Sequence, residues 1–125
     1  MHFLLFSVGN AERNHYMLER DFQAKLIKEI KLIFPECFVL KNDANYIQGF
    51  PDLLVLLDHF WVALECKRSI SAIEHDRNQN QGYYVSKLND IGFARFICPE
   101  NKEEVLNDIQ QAYRANRVPR ISRSK

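Results

Sequence analysis

Residues 49–67 read GFPDLLVLLDHFWVALECK, and this stretch decides the fold. Two apolar runs rich in Leu, Val and aromatic residues, Asp52–Leu57 and Phe60–Glu65, are separated only by Asp58 and His59. Short runs of this kind around a two-residue break read as a β-hairpin whose strands are both largely buried. With a two-residue turn, Leu57 faces Phe60, and each step back along the first strand is one step forward along the second. Asp52 is therefore expected directly opposite Glu65, where Cβ atoms are about 4.5 to 5.5 Å apart and like charges destabilise a sheet unless something positive lies between them. Side chains alternate along a strand, so Lys67 shares the face of Glu65. Three charges thus converge on one face of an otherwise apolar hairpin, a setting that charged groups tolerate only when paired or bound to a metal. Hard carboxylate oxygens favour Mg²⁺ or Mn²⁺ over zinc. The plainer alternative is a salt bridge from Lys67 to Asp52 or Glu65 at the end of an ordinary hairpin.

Upstream of the hairpin, Leu18, Phe22, Leu26, Ile30 and Ile33 recur at the period of an amphipathic helix spanning 17–34, which Pro35 closes. Cys37–Leu40 reads as a short strand, and Lys41–Gln48 as a polar loop ending at Gly49. Downstream, Ser69–Asn80 is polar and reads as a loop. Tyr84, Val85 and Leu88 mark a second helix that stops before Gly92, and Phe93–Cys98 reads as a strand ended by Pro99. Asn101 with Glu104 three residues later has the form of a capping box, opening a last helix through Val105, Leu106, Ile109 and Tyr113. The order α, β, β, β, α, β, α predicts an α/β chain with one mixed sheet flanked by helices.

A length of 125 residues with 46% hydrophobic side chains suits one compact domain. The net charge of +1 conceals a skew: of the 17 Lys and Arg residues, five follow Asp108, and none of the 16 acids does. Arg114, Arg117, Arg120, Arg123 and Lys125 form a basic tail suited either to a polyanion or to plain solvation. Cys37, Cys66 and Cys98 are odd in number and lack C-x-x-C spacing, which argues against a zinc or redox motif and for a reducing, cytoplasmic setting. His2, His15, His59 and His75 make no H-x-x-x-H or H-E-x-x-H pattern, which removes the usual zinc-hydrolase reading. Met1–Val8 is apolar but lacks a basic region and a cleavage site, and it is far short of the roughly 20 residues of a membrane span, so neither a signal nor a membrane anchor is expected. Tyr83 and Tyr84 are compatible with base stacking, though rings at helical spacing belong more often to a core.

The run Gly49-Phe50-Pro51-Asp52, twelve residues, then Glu65-Cys66-Lys67 resembles the motif of PD-(D/E)XK nucleases. Glu19 on the first helix and Gln81 in Asn80-Gln81-Gly82-Tyr83-Tyr84 are similar to the VRR-NUC branch and to small phage Holliday junction resolvase-like proteins. The resemblance covers roughly Leu18 to Tyr113. It implies a restriction-endonuclease-like αβββαβ core over residues 17–113 with an additional C-terminal helix, a leader at 1–16 and a basic tail at 114–125. By position, Asp52 and Glu65 would bind Mg²⁺ with the backbone carbonyl of Cys66, whose side chain would face away from the site, and Mn²⁺ would substitute. Lys67 would orient the attacking water and steady the phosphate. Glu19 would complete the metal shell or else be a solvent-facing helix residue. Gln81 would touch the phosphate or a catalytic water, or simply be polar at a helix start.

The function so implied is a metal-dependent DNA endonuclease selective for branched or flapped structure. Lys41, Arg114, Arg117, Arg120 and Arg123 would contact phosphates, and a homodimer would suit a paired-site junction. The alternative is a catalytically inactive nucleic-acid-binding or assembly module on the same fold.

Overall fold

The computed structural model describes residues 19–76 and 78–116. The leader at 1–16, the first residues of the expected helix and the tail arginines Arg117, Arg120 and Arg123 lie outside the described residues. Helix α1 spans 19–33 and is followed by strands β1 (Phe38–Lys41), β2 (Leu53–Leu57) and β3 (Phe60–Cys66). Helices α2 (Ile70–Glu74) and α3 (Gln79–Ile91), strand β4 (Phe93–Ile97) and helix α4 (Lys102–Ala115) complete the chain. The result is a mixed α+β fold that contains the expected αβββαβ elements and a further C-terminal helix, with the short α2 added before α3.

The four strands form one sheet in the order β1-β2-β3-β4. β1 with β2 and β2 with β3 are antiparallel, while β4 runs parallel to β3, with α3 making the crossover that a parallel connection requires. The hairpin register is the expected one: Leu57 pairs with Phe60 and Leu53 with Leu64. Asp58 sits at the turn with φ +57°, a left-handed conformation that Asp tolerates better than most residues.

Two cores of unequal size cover the sheet. Leu53, Val55 and Leu57 of β2 and Val62, Leu64 and Cys66 of β3 project to one face, where Phe22, Leu26 and Ile30 of α1 and Val105, Leu106 and Ile109 of α4 pack on them. Each such fully buried aliphatic side chain contributes about 1.5–3 kcal/mol relative to exposure. Among the described residues the opposite face carries α3, and the buried residues there are Ala63, Val85 and Ala94, with Leu54, Trp61, Leu88 and Phe96 partly covered around them.

Several details differ from the sequence expectation. β2 alternates between buried and accessible positions instead of being buried throughout, with Leu56 exposed, because it is next to the short edge strand β1 on the thinly covered side. Within 69–80 a single-turn helix replaces part of the expected loop: the Ser69 hydroxyl accepts from the Ala72 N–H at 3.0 Å and starts α2. The capping box does not form. Asn101 makes no side-chain cap bond; its Oδ1 accepts from the Cys98 N–H at 2.8 Å and its Nδ2 donates to the Phe96 carbonyl at 3.2 Å, so the side chain ties down the end of β4. The strand boundaries also move by a residue, β1 taking in Lys41 and β2 leaving out Asp52.

Candidate active site

The open end of the hairpin is where charge gathers. One step beyond the Leu53–Leu64 pair the register places Asp52 beside Glu65, and main-chain bonds hold that arrangement. The Asn42 N–H donates to the Asp52 carbonyl at 2.8 Å, and the Lys67 N–H donates to the Ile97 carbonyl at 2.8 Å, so both strand ends are anchored by their outer neighbours. Across the hairpin, the Cys66 N–H donates to Asp52 Oδ2 at 2.9 Å. Cys66 therefore orients the aspartate with its backbone while its side chain packs into the larger core, away from the site, as expected. Burial pushes its thiol well above the ordinary range, with the negative charges of Asp52, Glu65 and Glu19 adding to the rise and a hydrogen bond with Gln23 opposing it.

Glu65 is 2% exposed, the one charged side chain that is buried among the described residues, and its Oε1 has no hydrogen-bond partner. Native structures rarely leave such an atom unsatisfied without a functional reason. Burial raises its carboxyl to about 8; the Asp52 charge adds to this, Lys67 and the Asp52 backbone N–H work against it, and Asp76 adds further. Asp52 is raised for similar reasons, chiefly burial and then the charge of Glu19, against the Cys66 hydrogen bond and Lys67. Both carboxyls thus occupy a place where burial disfavours ionisation more than the charge of Lys67 favours it.

Lys67 does not neutralise them directly. Its Nζ donates to Gln81 Oε1 at 2.7 Å and lies 3.5 Å from Asp76 Oδ2. Asp76 in turn accepts from the Asn78 N–H at 2.9 Å through Oδ1, and Asn78 caps α3 by accepting from the N–H groups of Asn80 and Gln81. The result is a closed circuit: the loop acid holds the lysine and the cap, the cap orients the first turn of α3, and that turn presents Gln81 to the lysine. The salt bridge from Lys67 to Asp52 or Glu65 considered from sequence is replaced by this pair with Asp76. Asp76 carried no distinguishing signal in a run of polar loop residues; only its contact with Lys67 reveals it.

The other expected residues are placed less closely. Glu19 is exposed at the first described turn of α1, and its charge is felt at Asp52. Lys41 is exposed at the end of β1, next to the Asn42–Asp52 main-chain bond. Arg114 is exposed in the last turn of α4, and Asn116 just beyond it accepts from His59 Nε2 at 2.6 Å, so this end of α4 lies against the hairpin turn, opposite the acidic end. A groove of about 480 Å³ also lies at that far end, between Phe34, Pro35, Cys37, Leu57 and Tyr113, and shares no residue with the acidic site.

Among the described residues, no three His, Cys, Asp or Glu side chains are placed to hold a metal ion by themselves. The donor set that does converge is two carboxylates with an orphaned oxygen between strand ends. This fits Mg²⁺, which keeps several waters and is commonly bound through one or two carboxylates. All three cysteines are free thiols, and among the described residues no helix is long and apolar enough to cross a membrane. No protein family, curated protein or solved structure matches this chain.

Proposed function

We propose that the chain is a Mg²⁺-dependent endodeoxyribonuclease of the PD-(D/E)XK kind, with Mn²⁺ able to substitute, acting on branched or flapped DNA. The observation that carries this reading is the unpartnered oxygen of buried Glu65 beside Asp52, with a cationic side chain fixed next to both. A carboxylate buried beside another without a partner is costly to the fold, and a bound divalent cation relieves that cost.

Asp52, Glu65 and the Cys66 carbonyl would hold the ion, with Glu19 joining directly or through water. When bound, Mg²⁺ lowers the pKa of an attacking water and stabilises the charge that develops on the phosphate. The rest falls to the protein. Gln81 and Asp76 limit the rotation of Lys67, so its ammonium group is positioned in advance to donate to a phosphate oxygen or to the water. The water oxygen bonds to phosphorus as one P–O ester bond breaks, leaving a phosphate monoester and a hydroxyl end. The Cys66 N–H holds Asp52 Oδ2 across the hairpin. A homodimer would present two such sites to a paired-site junction.

The experiment is cleavage of labelled linear duplex, single-stranded, flapped and four-way-junction DNA in Mg²⁺, Mn²⁺ or EDTA by the parent and by Lys67→Ala. Metal-dependent cutting that the variant loses supports the nuclease. Binding without cutting of any substrate by the folded parent overturns it in favour of a nucleic-acid-binding or assembly module.

A further inference from the structure

The start of α3 carries more than Gln81. Tyr84 turns inward and meets Phe50 edge-on, with ring centroids 5.4 Å apart, and Phe50 stands two residues before Asp52. Tyr83 meets Tyr84 in the same way, at 5.4 Å and 78°, yet remains 57% exposed. Lys87, one helical turn further on, places its Nζ 6.0 Å from the centre of the Tyr83 ring. The loop that leads to Asp52 is seated on the same helix turn. Gly49, at φ +85°, lies so close to Asn80 that a Cβ there would collide with it. A row of rings, Phe50, Tyr84 and Tyr83, therefore runs from the loop that leads to Asp52 along the first turns of α3 and ends in a solvent-accessible aromatic with a cation beside it.

Single exposed apolar residues are ordinary and need no explanation. Tyr83 differs in being braced in a fixed place by a ring that itself packs on the loop carrying Asp52, and in having a positive charge alongside. A flat π-surface next to an ammonium group matches an unpaired nucleotide, whose base stacks on aromatic rings while its phosphate accepts from lysine. A base inside an intact duplex offers no such free face. We infer that Tyr83 and Lys87 form a stacking site for an unpaired nucleobase beside the acidic site, so that the favoured substrate has a single-stranded segment adjoining the phosphate to be cut. This inference rests on the nuclease reading for its link to cleavage, but the stacking site itself is testable without it.

The test is fluorescence anisotropy in EDTA, where no hydrolysis competes, with a labelled single-stranded oligonucleotide, a blunt duplex and a flapped duplex. The proteins are the parent, Tyr83→Ala, Tyr83→Trp and Lys87→Ala, each checked for an unchanged melting curve. The parent is expected to bind the single-stranded and flapped DNA more tightly than the blunt duplex. Tyr83→Ala should weaken these two by about tenfold with little change for the duplex, as loss of one stacked base does. Tyr83→Trp should restore binding, because it keeps the stacking surface, and Lys87→Ala should weaken all three and flatten the salt dependence. Equal binding of all three DNAs by the parent, or unaltered binding by Tyr83→Ala, overturns the inference. If the parent cuts no DNA in Mg²⁺ while Tyr83-dependent binding persists, the nuclease reading fails and the stacking site stands. If it cuts DNA with no dependence on Tyr83, the reverse holds.

Discussion

The two faces of this sheet are covered very differently. On one side α1 and α4 bury fourteen residues in a continuous core that includes Phe22, Leu26, Leu64 and Ile109. On the other, among the described residues, Val85 of α3 packs on two small sheet residues, Ala63 and Ala94, and it is there that Glu65, Lys67 and Gln81 meet. A thin cover leaves room for charged groups at the sheet end, and the thick face supplies the stability that lets the thin one keep a buried carboxyl with one oxygen unpartnered. Cooperative folding therefore depends mainly on one side, and the proposed chemistry on the other.

That division is open to direct attack. The largest expected effect is on the thin side: Lys67→Ala should lower metal-dependent cleavage by about 10²- to 10⁴-fold while leaving the melting temperature nearly unchanged, since only polar contacts at a strand end are lost. A large fall in melting temperature would show that the circuit through Asp76 and Gln81 supports the fold as well. Next, Leu64→Ala, at a fully buried position of the thick face, should cost about 2–5 kcal/mol in chemical denaturation. Val85→Ala on the other face should cost about 1–2 kcal/mol. Equal losses would erase the distinction.

Smaller and of opposite sign is Glu65→Gln. At pH 9, where Glu65 is ionised, removing this buried charge should raise the melting temperature of the protein in EDTA, and the variant should lose cleavage. The pH dependence has a definite direction. Because the folded-state pKa of Glu65, about 8, lies above its ordinary value of 4.5, the protonated acid stabilises the fold at low pH. That stability is lost as pH rises from about 4.5 through 8, so in EDTA the parent should melt lower at pH 9 than at pH 5, and Glu65→Gln should flatten the slope. A parent whose stability rises over that range would show that the side chain is ionised and paired. The smallest effect belongs to Lys102, whose Nζ lies 2.7 Å from Glu29 Oε1 and links α4 to α1. Lys102→Met should cost no more than about 1 kcal/mol, as partly exposed pairs do, and that cost should shrink in high salt.

How much of this was legible in the sequence depended on how local the cause was. The hairpin register could be counted from a two-residue turn, and it placed Asp52 by Glu65 and Lys67 on the face of Glu65 because strand alternation admits no other arrangement. The long helices and β4 followed from periodicity and from Pro35, Gly92 and Pro99. What escaped were features decided by contacts far apart in the chain. Five-residue α2 has too few turns to show a period. Asn101 had a capping partner in sequence, but the end of β4 competed for its side chain. Asp76 became visible only when the parallel pairing of β3 with β4 brought α3 and the loop before it alongside Lys67. The exposure of Tyr83, one residue from half-buried Tyr84, likewise depends on how α3 is rotated against the sheet.

The adjoining residues Glu65 and Cys66 hold opposite duties, one turned to the thin face and its neighbour locked in the thick core. Over evolutionary time this makes the chemistry separable from the architecture. A lineage that replaces Glu65 with a neutral residue of similar size loses the proposed reaction and gains a sturdier scaffold in a single step, with the aromatic row on α3 untouched. If the proposed reaction is what the chain is selected for, that selection keeps the carboxyl buried, and where it lapses the fold is free to become a more stable scaffold.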